Sequence, residues 1–401
     1  MARNRRGTKW VAILALAVLA LPSNAGAAPK YKILHAFGHG KDGDGLWGGL
    51  VFDAEGNSYG TTINGGTYNF GTVFELSPGS ADGWTESILY SFGADDDGAM
   101  PMAGLALDPK RNLYGTVTSD SPGALGAIFE LKRGRRGWTL RTLDEPGLRA
   151  NLILDRAGNL YGPFGAGKYG GGAVSELVKA DGWAQKWLYS FCSKGNPCVD
   201  GAWPYAGLTW GRDGSLYGTT PTGGSGGYGV AFQLVLQPDG TWKETVLHSF
   251  PAFPTDGRKP YEGVVLDKAG NVYGATGYAG GGGHDCGVIF KLAPQANGKW
   301  KETILYDFPE LSRGCTANTP ALDAKGNLWG TAQGGTSGNG VVFELTPQPS
   351  GKWKYHLVHQ FDWKDGALPG SAVIFDKHGN VYGTTILGGK YGGGVAFEIT
   401  P

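Results

Sequence analysis

Charge is scarce in this sequence and evenly matched, with 17 % of residues charged, 35 basic against 35 acidic. A pI near 7 without basic runs excludes the electrostatic footprint of a nucleic-acid binder. No stretch beyond the N-terminus shows a helical hydrophobic period, and no apolar run reaches the roughly 20 residues that cross a bilayer. Cysteine occupies only four positions, Cys192, Cys198, Cys286 and Cys315, without the paired C-x-x-C spacing of a zinc site. Glycine, in contrast, fills 72 of 401 positions, far above the roughly 7 % of ordinary chains. It does not recur every third residue, which excludes collagen. Aromatics at 12 % exclude a disordered composition.

Residues 1–27 read as a removable export signal. Arg3, Arg5, Arg6 and Lys9 precede the apolar run Trp10 to Leu21, and Ala25-Gly26-Ala27 supplies a small-x-small cleavage pattern. Arg5-Arg6 is followed by Gly-Thr-Lys, a poor match to twin-arginine export. Cleavage leaves 31 basic against 35 acidic residues. An exported chain can form disulfides, and the expected pairs are Cys192–Cys198 and Cys286–Cys315. The expected location is secreted, periplasmic or cell-surface.

Residues 28–401 repeat one unit. A Tyr-Gly or Trp-Gly pair recurs at Tyr59, Tyr114, Tyr161, Tyr217, Tyr273, Trp329 and Tyr382, giving seven copies and no room for a second domain. Each copy holds four strand-like segments; in the first these are Leu50–Asp53, Ser58–Thr62, Thr72–Leu76 and Trp84–Phe92. An Asp-x-x-Gly-Asn turn joins the first two, at Asp155–Asn159, Asp267–Asn271 and Asp376–Asn380 among others. Trp and Phe stand eight apart in the fourth segment, as in Trp84/Phe92 and Trp242/Phe250, a spacing that predicts one shared strand face. Seven units of four antiparallel strands predict an all-β, seven-bladed β-propeller. The mature chain opens with a fourth strand, Tyr31–Phe37, and closes with a third, Gly393–Thr400. The N-terminal strand is therefore expected to complete the last blade, with Tyr31, Ile33, His35 and Phe37 on one face.

The strings YGTTINGG (Tyr59–Gly66), YGTTPTGG (Tyr217–Gly224) and YGTTILGG (Tyr382–Gly389), with GTVFEL (Gly71–Leu76) and GVVFEL (Gly340–Leu345), resemble the GloVer tandem repeat of choice-of-anchor bacterial proteins. The resemblance covers residues 31–401. It implies an exported repeat protein and supplies no catalytic residues. No sorting segment follows the last strand before Pro401, a departure from the family label that puts a covalent or membrane anchor in doubt.

Up-down connectivity places the second-to-third and fourth-to-first loops on one face, where variable loops on a rigid scaffold commonly carry function. The fourth-to-first loop repeats Asp-Gly-x-x-Pro at Asp97, Asp200, Asp256 and Asp365. These read as backbone-capping turns, or as a ring of carboxylates at the channel mouth. Asp42, Asp44, Asp95 and Asp97 form the densest acidic spots and the candidate Ca²⁺ ligands, although neither group is a complete calcium loop. Trp47, Trp203, Tyr205, Tyr261 and Trp363 fall in the same loops, where exposed rings could stack on sugars or pack over blade ends. His35, His248 and His359 occupy a slot filled elsewhere by Tyr90, Tyr189 and Tyr306, which marks them as part of the repeat. His39 and His284 lie in face loops. Gly-rich matches at Gly38–Gly43, Gly165–Gly170 and Gly223–Gly227 are discounted, since three-glycine patterns arise about twice by chance at this glycine content.

The residues lead to a non-enzymatic, monomeric exported propeller that binds a glycan or a cell-surface partner through its loop face. A glycan-active hydrolase or lyase using loop carboxylates is the first alternative, and a purely structural surface protein the second. No cofactor is required, and no nucleic acid or membrane span is expected in the mature chain.

Overall fold

A computed structural model describes residues 28–401 except 81–82, 94–97, 119–125, 136, 145–149, 252–255 and 279–284. The signal segment 1–27, Asp95, Asp97 and His284 thus lie outside the described residues. Seven antiparallel sheets follow one another along the chain. Blade 1 contains Val51–Phe52, Ser58–Thr62, Thr72–Pro78 and Trp84–Ser91 in spatial order. Blades 2 to 6 repeat this order, blade 5 with Val264–Leu266, Val272–Ala275, Val288–Pro294 and Trp300–Asp307. Blade 7 takes Ile374–Phe375, Val381–Leu387 and Val395–Thr400 from the C-terminus. Its fourth strand is Lys30–Ala36, paired from Lys30↔Thr400 to Ala36↔Val395. The fold is thus an all-β, seven-bladed propeller closed by its N-terminal strand. Single-turn 3₁₀ segments at Lys179–Asp181 and Leu311–Arg313 lie in the described loops. No described helix is long and apolar enough to cross a membrane.

The Tyr-Gly-Thr signature has a separate physical task for each residue. Tyr59 donates its hydroxyl hydrogen bond to the turn residue Asp53 at 2.9 Å. Asp53 in turn accepts the backbone N–H and the side-chain amide of Asn57. Burial opposes ionisation of Asp53, but these hydrogen bonds and the nearby Arg111 outweigh it and hold the carboxyl below its usual range. The same lock recurs at Tyr114/Asp108, Tyr161/Asp155, Tyr273/Asp267 and Tyr382/Asp376. The glycine seats the third-strand phenylalanine: a Cβ on Gly60 would lie 2.5 Å from the Phe74 ring, and one on Gly218 2.7 Å from Phe232. The threonine stitches neighbouring blades. Thr61, Thr219 and Thr331 donate to the carbonyls of Ala103, Glu262 and Ser371 in the next blade. Thr384 of blade 7 does the same to Gly48, closing the ring a second time.

One expectation about facing is corrected. Trp84 packs between blades 7 and 1, beside Phe74 and Tyr382, whereas Phe92 packs between blades 1 and 2, beside Phe129 and Leu113. The same separation holds for Trp242 against Phe250 and for Trp300 against Phe308. The cause is a β-bulge in every fourth strand. Val73 pairs with Tyr90 but Phe74 pairs with Ile88, leaving Leu89 as an extra residue. One inserted residue reverses the alternation of faces. Leu34 is the extra residue at the closure, so Tyr31 packs towards blade 6 while Leu34 and Phe37 pack towards blade 1. Ile33 is left 37 % exposed.

Candidate functional site

The channel is built from the residues just before each first strand. Read in register, one slot holds Gly48, Ala103, Ala150, Ala206, Glu262, Asn318 and Ser371. Small residues predominate because seven backbones converge here; a Cβ on Gly48 would lie 2.6 Å from the Ala103 carbonyl oxygen. The result is a cavity of about 560 Å³ whose lining includes Trp47, Asn151, Tyr205, Thr209, Tyr261, Glu262, Thr319 and Ser371.

Glu262 is the one carboxyl group among the described lining residues. It is partly buried in the channel wall, and desolvation there raises its pKa despite hydrogen bonding from Thr319. The Thr319 hydroxyl lies 3.2 Å from its Oε2. Sequence reasoning missed Glu262. The signal was the register itself: one acid in a slot otherwise filled by small or neutral residues, visible only when the seven copies are aligned on their Tyr-Gly pairs.

Trp47, Tyr205 and Tyr261 stand at this cavity, 45 %, 53 % and 38 % exposed. Trp203 and Trp363 are equally exposed but lie outside its lining. Further exposed rings, Tyr68, Tyr169, Tyr278 and Tyr391, come from the second-to-third loops of the same face. Tyr169 and Tyr391 each carry a neighbouring lysine ammonium over the ring.

The Asp200, Asp256 and Asp365 carboxylates of the Asp-Gly-x-x-Pro loops turn towards the outer strands. Asp200 and Asp256 are buried and Asp365 partly so. Asp200 accepts from Tyr189 at 2.7 Å and from Ser193; Asp256 and Asp365 pair with His248 and His359 at 2.8 and 2.9 Å. The residue before the proline adopts a left-handed backbone in each described copy, at Met100, Trp203, Lys259 and Leu368. Its N–H donates to a carbonyl in the preceding blade's second-to-third loop, as from Trp203 to Gly171 at 2.7 Å. This motif clamps adjacent loops. Asp42 caps Gly38 and His39 and pairs with His35, and Asp44 accepts the Asn64 amide. The Cys192–Cys198 and Cys286–Cys315 bridges are both formed.

A larger cavity, about 870 Å³, lies on the opposite face among Arg212, Asp213, Asp267, Lys268, Asp323 and Lys325. Its carboxylates are committed to the first-to-second turns through Ser215, Asn271 and Asn327. The channel on the loop face, with its exposed rings and an acid held by a single threonine hydroxyl, is therefore the stronger candidate.

The pattern of the Gloeobacter/Verrucomicrobia repeat matches residues 22–209 and 148–397. The chain belongs to that repeat family. The motif resemblance drawn from the Tyr-Gly strings is thereby shown. A search of curated proteins found no match. Similar solved structures include a protein provisionally assigned as a gluconolactonase, 17 % identical, covering 68 % of this chain and 80 % of its own, at a TM-score of 0.40. A provisionally assigned oxidoreductase (glucose dehydrogenase) from Thermus thermophilus is 14 % identical, covering 93 % of this chain and 100 % of its own, at 0.46. A luciferin-regenerating enzyme is 12 % identical, covering 74 % and 90 %, at 0.45.

Proposed function

We propose that this repeat-family propeller is an exported carbohydrate-binding protein whose ligand enters the channel from the loop face. The observation that carries the reading is the grouping of Trp47, Tyr205 and Tyr261 with Glu262 around one cavity of about 560 Å³. Aromatic faces stack on the C–H surfaces of sugar rings. A carboxyl group with a raised pKa, together with the hydroxyls of Thr209, Thr319 and Ser371, can both donate hydrogen bonds to sugar hydroxyls and accept them. The described lining supplies one carboxyl group, whereas glycoside hydrolysis commonly uses a pair about 5–10 Å apart. Two disulfides and the N-terminal cationic–apolar segment support export to an oxidising compartment.

Pull-down of residues 28–401 on a panel of insoluble polysaccharides tests the reading, with new reducing or unsaturated ends assayed in the supernatant. Retention that falls at least tenfold in Tyr205→Ala and Trp47→Ala, with no new ends, supports it. New ends that disappear in Glu262→Gln make the protein an enzyme acting in the same channel. Absence of retention on every polysaccharide overturns the glycan reading in favour of a protein partner. An arm with Ca²⁺ is included because Asp42 and Asp44 lie in a fourth-to-first loop. Both Asp42 oxygens and Asp44 Oδ1 already accept hydrogen bonds, so binding is expected to be indifferent to calcium.

A further inference from the structure

The outer rim of the ring carries a second periodic arrangement, remote from the channel. Between adjacent blades, three positions meet: the fourth-strand residue two before its Phe, the Asp of the following loop, and the residue six before the next blade's Phe. Between blades 3 and 4 they are Tyr189, Asp200 and Glu244. Between blades 4 and 5 they are His248, Asp256 and Glu302. Between blades 6 and 7 they are His359, Asp365 and Tyr31, with the Tyr31 ring stacked on His359 at 3.9 Å between centroids.

Between blades 7 and 1 they are His35, Asp42 and Glu86, so three of these seats bring two carboxylates together, and Lys194 supplies a cation to one of them. Lys194 places its ammonium 2.6 Å from Glu244 Oε2, beside Asp200. No described lysine or arginine is paired with either carboxylate of the next seat. There His248 Nε2 lies 2.8 Å from Asp256 Oδ2 and 3.4 Å from Glu302 Oε2. One ligand atom from each of the three lies within 4.8 Å of the others. Glu302 Oε1 is buried without a hydrogen-bond partner. Asp256 is held by its own loop, through the Gly257 N–H on its Oδ1.

We propose that His248, Asp256 and Glu302 form a binding site for a first-row divalent cation of the Zn²⁺ type, which clamps blade 4 to blade 5. Ligand atoms about 2.0–2.1 Å from a tetrahedral ion stand roughly 3.3 Å from one another, close to the His248–Glu302 separation. One imidazole nitrogen with two carboxylate oxygens suits Zn²⁺ or Mn²⁺ rather than Ca²⁺, which takes six to eight oxygens. The three ligands come from the fourth strand of blade 4, the connecting loop and the fourth strand of blade 5. An ion there would serve the purpose that Lys194 serves one blade earlier, with two or three directional bonds in place of one.

The test uses residues 28–401 stripped with chelator and titrated with ZnCl₂ by calorimetry, with melting followed in parallel. One bound ion and a higher melting temperature are expected. His248→Tyr should weaken binding at least tenfold while folding normally, because Tyr already fills this slot at Tyr189 and Tyr306. Glu302→Gln should weaken it similarly and gives a second reading if the first variant folds poorly. Failure to bind at 1 mM Zn²⁺ overturns the proposal. So does binding left unchanged by both variants, or a preference for Ca²⁺ over Zn²⁺.

Discussion

Phe37 is fully buried between blades 7 and 1, packed on Phe74 at 4.8 Å between centroids and clustered with Leu34, Leu46, Leu50 and Tyr382. Phe37→Ala in residues 28–401 removes a ring from a site that rigid neighbouring backbones cannot collapse into. Such truncations cost about 3–5 kcal/mol, a large share of the roughly 5–15 kcal/mol that holds a typical domain. Phe250→Ala, at the same slot inside the chain, should cost a similar amount in urea unfolding. The two variants should nevertheless differ under limited trypsin digestion. Only Phe37→Ala frees a terminal strand, so cleavage after Lys30 and Lys32 should accelerate there and not in Phe250→Ala. Deleting residues 28–37 also removes Leu34, the Tyr31 stack and the ladder to Val395–Thr400. That deletion should therefore lose at least as much stability as the point variant. A deleted chain that melts within a degree of its parent would refute closure as a source of stability.

Other consequences follow from the same contacts. Gly218→Ala puts a Cβ 2.7 Å from the Phe232 ring and should destabilise by about 1–3 kcal/mol in urea unfolding. Thr384→Val leaves the Gly48 carbonyl without its donor across the closure and should cost about 1–3 kcal/mol. Burial and the charge of Asp42 push the Glu86 carboxyl up to about 7. Because its folded value exceeds the unfolded one near 4.5, the folded state holds its proton more tightly. Stability from this group is complete below about pH 4.5 and is lost as pH rises towards 7. Glu86→Gln should accordingly raise the melting temperature at pH 8 and change it little at pH 4. Replacing both Cys286 and Cys315 by Ser opens a loop between residues 29 apart, costing roughly 3–4 kcal/mol by chain entropy.

Much of the architecture could be read from local chemistry. Tyr59 needs Asp53 six residues away, Gly60 must admit Phe74, and the turn needs Asn57, so the same short string returns in most blades. Those constraints act within one unit and survive as a motif. The two disulfides were legible for a related reason, since Cys192 and Cys198 are neighbours in sequence and Cys286 and Cys315 belong to loops of one face. The phase of the repeat likewise announced that Tyr31–Phe37 would join the last blade, where the strand runs Lys30–Ala36.

What the linear pattern hid depends on parity and convergence. An alternating strand predicts one face for Trp84 and Phe92, but a single bulged residue, Leu89, sends them to opposite sides of the blade. The Asp-Gly-x-x-Pro acids read first as capping groups, with a channel ring as the alternative. Only the loop geometry turns Asp200 to Tyr189 and Asp256 to His248. The channel takes one residue from each of seven units, so no local window contains its lining. Glu262, Thr319, Trp47 and Tyr205 are scattered through the chain, and closing the ring is what makes them neighbours. By itself the sequence determined the blade, its count and its closing strand, because those rest on contacts within a unit. The tertiary structure alone decided which side chains face the channel and which face the rim, because that depends on how seven units meet.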